Sequence, residues 1–341
     1  MSVFEITAGL PADEDALLDL AAHLNTVNLP NDRAHIRSLL ATSEQSFCAA
    51  LPSAHRRYVF VLWDRTTGRA VATSSLIAKL GRRDAPYIYF DVIPEEKYSK
   101  LLDRHFQHKL LRLGFSYDGP TELGGLVVLP EYRRHPERLG RFISFIRFLY
   151  IAAHRNLFES EIIAELLPPL ESDGTSHLWE ALGRRFTGMT YAEADLLSSQ
   201  NKDFIRDLFP SEAIYASVLS DAARDVIGKV GEQSKGVEKM LTEVGFHYAE
   251  RVDPFDGGPH FIAQTDHITA VMQSKVLPFA SIASQFTQNA TVASFSTTAP
   301  FARAIRTPCQ IDTNGLTLPA AAAHQLQVAA GAQLVCLRDP F

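Results

Sequence analysis

The sequence predicts an α/β protein in which a mixed β-sheet is flanked by helices. Apolar runs of strand length occur between segments whose apolar residues recur at helical spacing, an order typical of layered α/β proteins. The segment Leu139–Leu157 is apolar over so wide a band that we expect a largely buried helix. Apolar residues make up 46% of the 341 positions and charged residues 21%, the composition of a soluble globular protein.

The first half of the chain carries the elements of the predicted sheet. Leucines at helical spacing behind acidic residues predict a helix over Asp13–Leu24. Asn31 or Asp32 is placed to cap a second helix, which ends at Leu40. The other predicted elements are strands Tyr58–Trp63 and Ala70–Leu80, which form a hairpin, strands Tyr87–Val92, Leu123–Leu129 and Glu161–Leu167, and helices Leu101–Leu113 and Leu139–Leu157.

The second half begins with short, broken helical patterns, which predict a helical extension of the first domain. Turn signals in the segment RVDPFDGGPHF end this region. From Thr269 onward the chain carries little charge and several short β-like runs, with one short helix over Pro319–Leu326. We therefore expect one domain over residues 1–250 and a small β-rich element over residues 251–341.

Bulk properties argue against several classes of protein. The net charge of −6 does not favour nucleic-acid binding. The three cysteines are far apart, which predicts neither a metal site nor a disulfide framework and fits a reducing cytoplasm. The N-terminus lacks the pattern of a signal peptide, and no run reaches the roughly 18 apolar residues that span a bilayer, so we expect no membrane partner.

A basic loop between a strand and a helix is the main functional signal. Arg133, Arg134, Arg138 and Arg141 lie within nine positions around Gly140. Arginines, a glycine and a helix N-terminus together can bind phosphate. Neither a G-x-x-x-x-G-K-[ST] loop nor a G-x-G-x-x-G loop is present, so a common nucleotide fingerprint does not explain this loop. A solvated basic loop is the alternative interpretation.

Several other polar residues allow both a functional and a structural interpretation. Glu165 lies in the apolar run IIAELL, where a carboxylate can act as a base or pair with an arginine. Asp253 and Asp256 flank a glycine turn and either form the turn or present carboxylates to a cationic ligand. His177 precedes a tryptophan and is a candidate pocket residue. His105 and His108 share one face of a predicted helix, where a surface position is the simpler interpretation.

Taken together, these segments resemble the arginine N-succinyltransferase family, which is related to the acyl-CoA-dependent N-acetyltransferases. Similar segments follow in the same order over most of the chain: YVFVLWDRTTGRAV, TELGGLVVLPEYRR, RFISFIRFLYIAAHRNLF, IIAELLPPLESDGTSHLWEALGRRFTGMTYAEADLL, FIRDLFPSEAIYASVL and VGFHYAERVDPFDGGP. Their number and order make the resemblance specific. The resemblance implies an N-acetyltransferase-like mixed sheet with splayed central strands that hold acyl-CoA.

The resemblance also implies a reaction and a set of site residues. Acyl-CoA, succinyl-CoA in this family, is the expected co-substrate, and the α-amine of arginine or a related amino acid is the expected acceptor. The amine would attack the thioester directly in a ternary complex, without a metal and without a covalent enzyme intermediate. Expected site residues are Glu165 as catalytic base or as the anchor of the acceptor ammonium; Leu126, Val127, Val128, Arg133, Arg134, Arg138, Gly140 and Arg141 at acyl-CoA; and Asn28, His177, Asp253 and Asp256 at the acceptor.

This chain departs from the family pattern at several positions. Gly231 follows VIGKV where the family has its proton-donating histidine, Arg138 stands at a loop glycine, and Phe90 replaces a usual arginine. Leu167 replaces the arginine of A-E-M-R-G, and the segment Val27–Pro30 replaces T-S-L-P. These changes remove cations that could pair with the carboxylates of arginine and of a succinyl group.

Three hypotheses follow from the resemblance and the departures. The chain transfers an acyl group from acyl-CoA to arginine or a related amino acid, or it is an acyltransferase with a different acceptor or acyl group, or it is a non-catalytic binding paralogue. The sequence also leaves open a homodimer or pairing with a paralogous subunit.

Overall fold

The structure is a computed structural model that describes residues 2–23, 29–83, 85–171, 173–198 and 202–338. In chain order the strands are β1 (Phe4–Ala8), β2 (Arg57–Asp64), β3 (Arg69–Ile77), β4 (Tyr87–Ser99), β5 (Arg104–Ser116), β6 (Thr121–Val128), β7 (Glu161–Glu165), β8 (Ile214–Tyr215), β9 (His247–Val252), β10 (Pro259–Gln264), β11 (Lys275–Ile282), β12 (Gln288–Phe295), β13 (Ala302–Asp312), β14 (Gly315–Leu318) and β15 (Gln333–Arg338). The helices are α1 (Glu14–Ala21), α2 (Arg33–Phe47), α3 (Leu139–Ala153), α4 (Arg184–Thr187), α5 (Tyr191–Ser198), α6 (Asp203–Leu208), α7 (Asp221–Val226), α8 (Lys235–Glu243), α9 (Thr269–Gln273) and α10 (Ala320–Leu326). Across these residues, none of the helices is long and apolar enough to cross a membrane.

The chain forms two compact units, each assembled from separate stretches of sequence. The first unit comprises Met1–Lys79, Thr121–Ser160 and Gln264–Phe341, and the second comprises Leu80–Pro120 and Glu161–Ala263. This grouping does not address which stretch folds independently, so the predicted boundary after residue 250 stays a prediction.

The first unit is built on a sheet with the strand order β12-β15-β11-β14-β13-β1-β2-β3-β6. Strands β11 and β14 run parallel, whereas β1–β2, β2–β3 and β3–β6 are antiparallel, so the sheet is mixed as predicted. The predicted hairpin is confirmed, since β2 and β3 pair from Arg57 opposite Ile77 to Asp64 opposite Arg69. The segment after Thr269 is rich in strands (β11 to β15) and contains the short helix α10, as predicted.

Helices α1 and α2 pack on the first unit's sheet through a shared apolar cluster. Asp32 caps α2, because its carboxylate accepts a hydrogen bond of 2.7 Å from the His35 N–H. The helix continues to Phe47, about two turns beyond the predicted end at Leu40, and the Phe47 ring packs against Tyr58 and Phe60 of β2. The cluster includes Leu17, Leu20, Ile36, Leu39, Leu40, Val59, Val61 and Val127.

Helix α3 is buried along most of its length, as its wide apolar band predicts. It also buries one cation, Arg147, whose side chain donates to the Ser144 carbonyl at 3.0 Å and the Gly124 carbonyl at 3.4 Å. Burial lowers the pKa of Arg147 to about 9, because the guanidinium loses its hydration. Neutral oxygens on α3 and β6 replace part of that hydration.

The second unit contains a sheet with the strand order β7-β10-β9-β4-β5-β8. Its longest feature is the antiparallel hairpin of β4 and β5, paired from Tyr87 opposite Ser116 to Ser99 opposite Arg104. The predicted helix over Leu101–Leu113 is therefore wrong. The thirteen-residue ladder with β4 satisfies the backbone hydrogen bonds of this segment as a strand instead.

Because residues 104–116 form a strand and not a helix, the two histidines of this segment do not share a helical face. His105 and His108 are three positions apart on β5, so they lie on opposite faces of the strand and not on one helical face. His105 Nε2 lies 3.4 Å from Glu96 Oε2, and His108 Nδ1 lies 2.7 Å from Ser217 Oγ. Both contacts are on the surface, in agreement with the simpler interpretation.

Short helices surround Trp179 in the second unit, which confirms the broken helical pattern. The Trp179 indole stacks on Phe255 with ring centroids 5.1 Å apart, and its Nε1–H donates to the Met189 carbonyl at 2.9 Å. Phe90, which stands where the family resemblance expects an arginine, is 1% exposed in the same core. An apolar side chain at position 90 therefore serves packing.

Candidate functional site

A β-bulge interrupts β6 at the position expected to meet a thioester. Between Gly124 and Val127, β6 has two residues where its partner β3 has one. One of them, Gly125, has φ +56°, and a Cβ there would lie 2.8 Å from Ser75 Oγ, so the position requires glycine. The other is Leu126, which is half-buried. A bulge takes backbone groups out of the regular ladder, which makes them suitable for binding a carbonyl.

The basic loop (Arg133–Arg141) exposes most of its charge to solvent. Arg133, Arg134 and Arg138 are exposed, and Arg133 Nε donates to the Val128 carbonyl at 3.0 Å. Arg138 precedes α3 with φ 48° and ψ 57°, in the left-handed region that favours glycine. It is the position at which the family resemblance expects a glycine, so the arginine here is held in a strained conformation.

Helix α3 begins directly after Arg138 and presents its N-terminus to the basic loop. The Arg138 carbonyl accepts hydrogen bonds from the N–H groups of Arg141 and Phe142, at 3.0 and 3.1 Å. The N–H groups of Leu139 and Gly140 precede these and have no carbonyl one turn upstream within the helix. Such N–H groups, the helix dipole and nearby arginines form an arrangement that can bind phosphate.

One arginine near the basic loop was missed by sequence reasoning. Arg306 on β13 lies over the Phe142 ring at 4.9 Å and donates to the Glu137 carbonyl. Arg141 lies over the Phe145 ring at 4.4 Å, so two guanidinium groups pack on the aromatic residues at the start of α3. No local pattern links residue 306 to this loop, because the association depends on the fold of the first unit.

The second unit places Glu165 beside a buried histidine. Glu165 ends β7, and its side chain is 31% exposed. Its Oε1 lies 3.6 Å from Nε2 of His260, which is fully buried on β10. His260 Nδ1 lies 2.5 Å from the hydroxyl of Tyr87, a buried residue of β4. Burial and the nearby Arg251 and Lys202 lower the pKa of His260 to about 3, so its imidazole is neutral at physiological pH.

Three aspartates of the second unit form an acidic group (Asp195, Asp253 and Asp256). Desolvation raises the pKa of Asp253 and, together with the charge of Asp253, raises that of Asp256 well above its usual range. The same two causes raise the pKa of Asp195 to about 7. Lys202 is a cation that lowers the pKa of Asp253, and a hydrogen bond from Tyr191 lowers that of Asp256. Like charges brought together under low hydration favour a positively charged ligand.

Asp253 and Asp256 stand in a distinctive turn segment of the sequence, whereas Asp195 does not. Asp253 and Asp256 also form the turn, because their carboxylates accept hydrogen bonds from the N–H groups of Phe255 at 2.6 Å and Gly258 at 2.7 Å. Asp195 lies on α5 among ordinary surface-like residues, so its sequence context carried no signal. The turn and the acidic group are therefore compatible interpretations of the same residues.

A possible metal-ligand set occurs in the second unit, although the sequence predicts no metal. One oxygen of Glu165, one oxygen of Asp253 and one nitrogen of His260 all lie within 4.8 Å of one another. Carboxylates and imidazole are ordinary ligands for zinc, provided that the imidazole nitrogen carries no proton. The same three groups can instead exchange hydrogen bonds and protons.

Of the other positions named in the sequence analysis, His177 and Gly231 have local structural contacts. His177 Nε2 lies 3.0 Å from Glu171 Oε1, and its side chain is half-buried. Asn28 lies outside the described residues. Gly231 donates its N–H to the Leu167 carbonyl at 2.9 Å, and a Cβ at this position would lie 2.5 Å from the Pro168 carbonyl oxygen. A side chain at position 231 would thus require the backbone to shift.

Comparison with known proteins gives a consistent pattern of similarity. Residues 6–270 match the family model described as AstA, arginine N-succinyltransferase beta subunit. The chain is 33% identical over 320 residues to the arginine N-succinyltransferase of Photorhabdus laumondii, covering 93% of this chain and 92% of that protein. It is 32% identical over 268 residues to the arginine N-succinyltransferase of Citrobacter koseri, covering 78% and 77%.

A solved structure shares the fold over the whole chain. It is the arginine/ornithine succinyltransferase subunit AI of Pseudomonas aeruginosa, with a TM-score of 0.84 and 26% sequence identity. The similarity covers 99% of this chain and 99% of that chain.

The β6 bulge predicts a specific effect of substitution at its glycine. Gly125→Ala should lower the free energy of unfolding by more than about 1–2 kcal/mol, because the backbone cost of a left-handed residue adds to the close contact with Ser75 Oγ. The matched control is Gly68→Ala, which has φ +70° but open space around its Cβ and so carries the backbone cost alone. Urea denaturation measures both losses. Equal losses would show that the bulge is not closely packed at Gly125.

Proposed function

Because this chain belongs to the arginine N-succinyltransferase family, we propose that it transfers a succinyl group from succinyl-CoA to the α-amine of arginine. The chain is an acyltransferase by membership of that family. The choice of succinyl-CoA as donor follows the family, and the choice of arginine as acceptor also rests on the charges of this chain's own residues. The acidic group of the second unit is the observation that most directly supports arginine as the acceptor.

The acidic group suits a cationic amino acid. Asp256 is buried and Asp195 and Asp253 are half-buried, and all three have raised pKa values. Their ionised forms repel one another, and a bound cation offsets that repulsion. A guanidinium is a planar cation that can donate two parallel hydrogen bonds to a carboxylate. Asp195, Asp253 and Asp256 would hold this end of arginine, and the match of charge favours arginine over a neutral amino acid.

The donor is proposed to bind the first unit. The pyrophosphate of succinyl-CoA would accept hydrogen bonds from the N-terminus of α3 around Gly140 and from the arginines of the basic loop. Arg306 adds a cation from β13 to the same region of the unit. Backbone groups of Leu126, Val127 and Val128 at the β6 bulge would meet the thioester.

The proposed chemistry is a direct transfer. The neutral α-amine attacks the thioester carbonyl, a C–N bond forms and the C–S bond breaks. Glu165 takes the proton that the amine nitrogen loses, which is a suitable role for a carboxylate whose side chain is partly exposed. The departing CoA thiolate takes a proton from solvent. Residue 231 takes no part, because glycine has no titratable side chain.

Amine-dependent thiol release tests this proposal. The purified chain should release CoA thiol from succinyl-CoA when arginine is added, measured with a thiol reagent, and mass spectrometry should identify N-succinylarginine. The panel should include ornithine, lysine and citrulline as acceptors and acetyl-CoA as donor. Release with a different pair would support a divergent acyltransferase, and no release with any pair would support a non-catalytic paralogue; either result contradicts the proposed reaction.

The basic loop predicts the result of a binding experiment. The double variant Arg138→Ala, Arg141→Ala should weaken binding of CoA by roughly 2–4 kcal/mol, because it removes two charge-assisted contacts with phosphate. Isothermal titration calorimetry measures the change. The control is Arg83→Ala, Arg104→Ala, which removes two exposed arginines of the second unit and the same net charge. An equal loss in both variants would point to net charge alone, and no loss would remove the loop from the site.

A further inference from the structure

We propose that His260 is a positioning residue for Glu165, and that Tyr87 fixes the imidazole so that its Nε2–H points at the Glu165 carboxylate. This inference rests on the proposed function, because it gives Glu165 a partner for its role as the base. It adds two residues, Tyr87 and His260, to which the sequence analysis assigned no functional role.

The geometry places three polar groups in a row. The Tyr87 hydroxyl lies 2.5 Å from His260 Nδ1, and His260 Nε2 lies 3.6 Å from Glu165 Oε1. Nε2 is buried and has no hydrogen-bond partner within the part of the chain that the structure describes. A buried polar atom without a partner is costly, so a carboxylate movement of about 0.5 Å toward it would be favourable. Glu165 can make that movement because its side chain reaches solvent.

The protonation of the row follows from its surroundings. The Tyr87 hydroxyl can donate to Nδ1 or accept from it, and only the donating arrangement leaves a proton on Nε2, where the Glu165 carboxylate faces it. The groups that face His260 are Tyr87, Glu165 and Asp253, with the cations Arg251 and Lys202 nearby. A neutral imidazole carries one proton, so accepting a hydrogen bond at Nδ1 leaves that proton on Nε2.

This arrangement orients Glu165 for proton transfer. One carboxylate oxygen would accept the Nε2–H of His260, which fixes the direction in which the carboxylate faces the acceptor amine. When the amine attacks, its proton moves to Glu165 and the electron pair of the C–S bond leaves with the thiolate. His260 neither gains nor loses a proton in this step, so its contribution is to fix the direction of the carboxylate.

A pair of substitutions at His260 separates positioning from packing. His260→Leu fills similar space but removes the donor, and should lower kcat about 10- to 100-fold with little change in the KM for succinyl-CoA. His260→Gln places an amide N–H near the position of Nε2 and should recover most of the lost kcat. Tyr87→Phe frees the proton to move to Nδ1 and should give an intermediate loss. His247→Leu, at an exposed histidine on β9, is the matched control and should leave kcat unchanged.

The pH profile provides a readout that a packing defect would not change. A hydrogen-bond donor stabilises a carboxylate in its ionised form, so the acidic limb of kcat/KM should move to higher pH in His260→Leu and return in His260→Gln. Nitrogen NMR of the free protein should show a neutral imidazole protonated at Nε2 between pH 5 and 8. Circular dichroism and urea denaturation verify that each variant is folded.

The outcomes separate this inference from the proposed function. No turnover by the folded wild-type chain would overturn the proposed function itself. An active wild type with equal kcat and an unshifted pH profile in folded His260→Leu would overturn the positioning role alone. Loss of wild-type activity on treatment with a chelator, restored by zinc, would also overturn it, because a metal bound by Glu165, Asp253 and His260 requires an unprotonated Nε2.

Discussion

The hydrogen bond from the Leu166 N–H to the Pro259 carbonyl, 3.1 Å long, holds the candidate site of the second unit together. It joins the residue after Glu165 to the residue before His260. Gly258 makes this junction possible, because a Cβ at that position would collide with the Leu166 carbonyl oxygen. The arrangement of Glu165 and His260 therefore depends on a close approach of two backbone segments.

The two units carry charges of opposite sign at their candidate binding residues. In the first unit the basic loop, the start of α3 and Arg306 provide cations and N–H groups for an anion. In the second unit Asp195, Asp253 and Asp256 provide carboxylates whose pKa values are raised by burial and by one another. This division fits a reaction that joins a phosphate-rich donor to a cationic acceptor. A net charge of −6 would not have indicated either group, because it averages over both.

Local signals in the sequence predicted much of the fold and only part of the candidate site. The Asp32 cap, the β2–β3 hairpin and the buried helix α3 each follow from spacing within one segment. The predicted helix over Leu101–Leu113 is wrong because the segment pairs with β4 in a thirteen-residue ladder, which no pattern within the segment itself indicates. Asp195, His260 and Arg306 were missed because they come close to their partners only through tertiary packing, whereas Glu165, Asp253 and Asp256 stand in distinctive segments.

Calorimetric titration with arginine and citrulline tests the central claim, recognition of a cationic acceptor by the acidic group. The two ligands have nearly the same shape and differ in side-chain charge. Arginine should bind at least about tenfold more tightly at pH 7, and it should release protons, because a cation lowers the raised pKa of Asp195 from about 7. Proton release appears as a dependence of the binding heat on the ionisation enthalpy of the buffer. Equal affinity for the two ligands, with no proton release, would contradict the account.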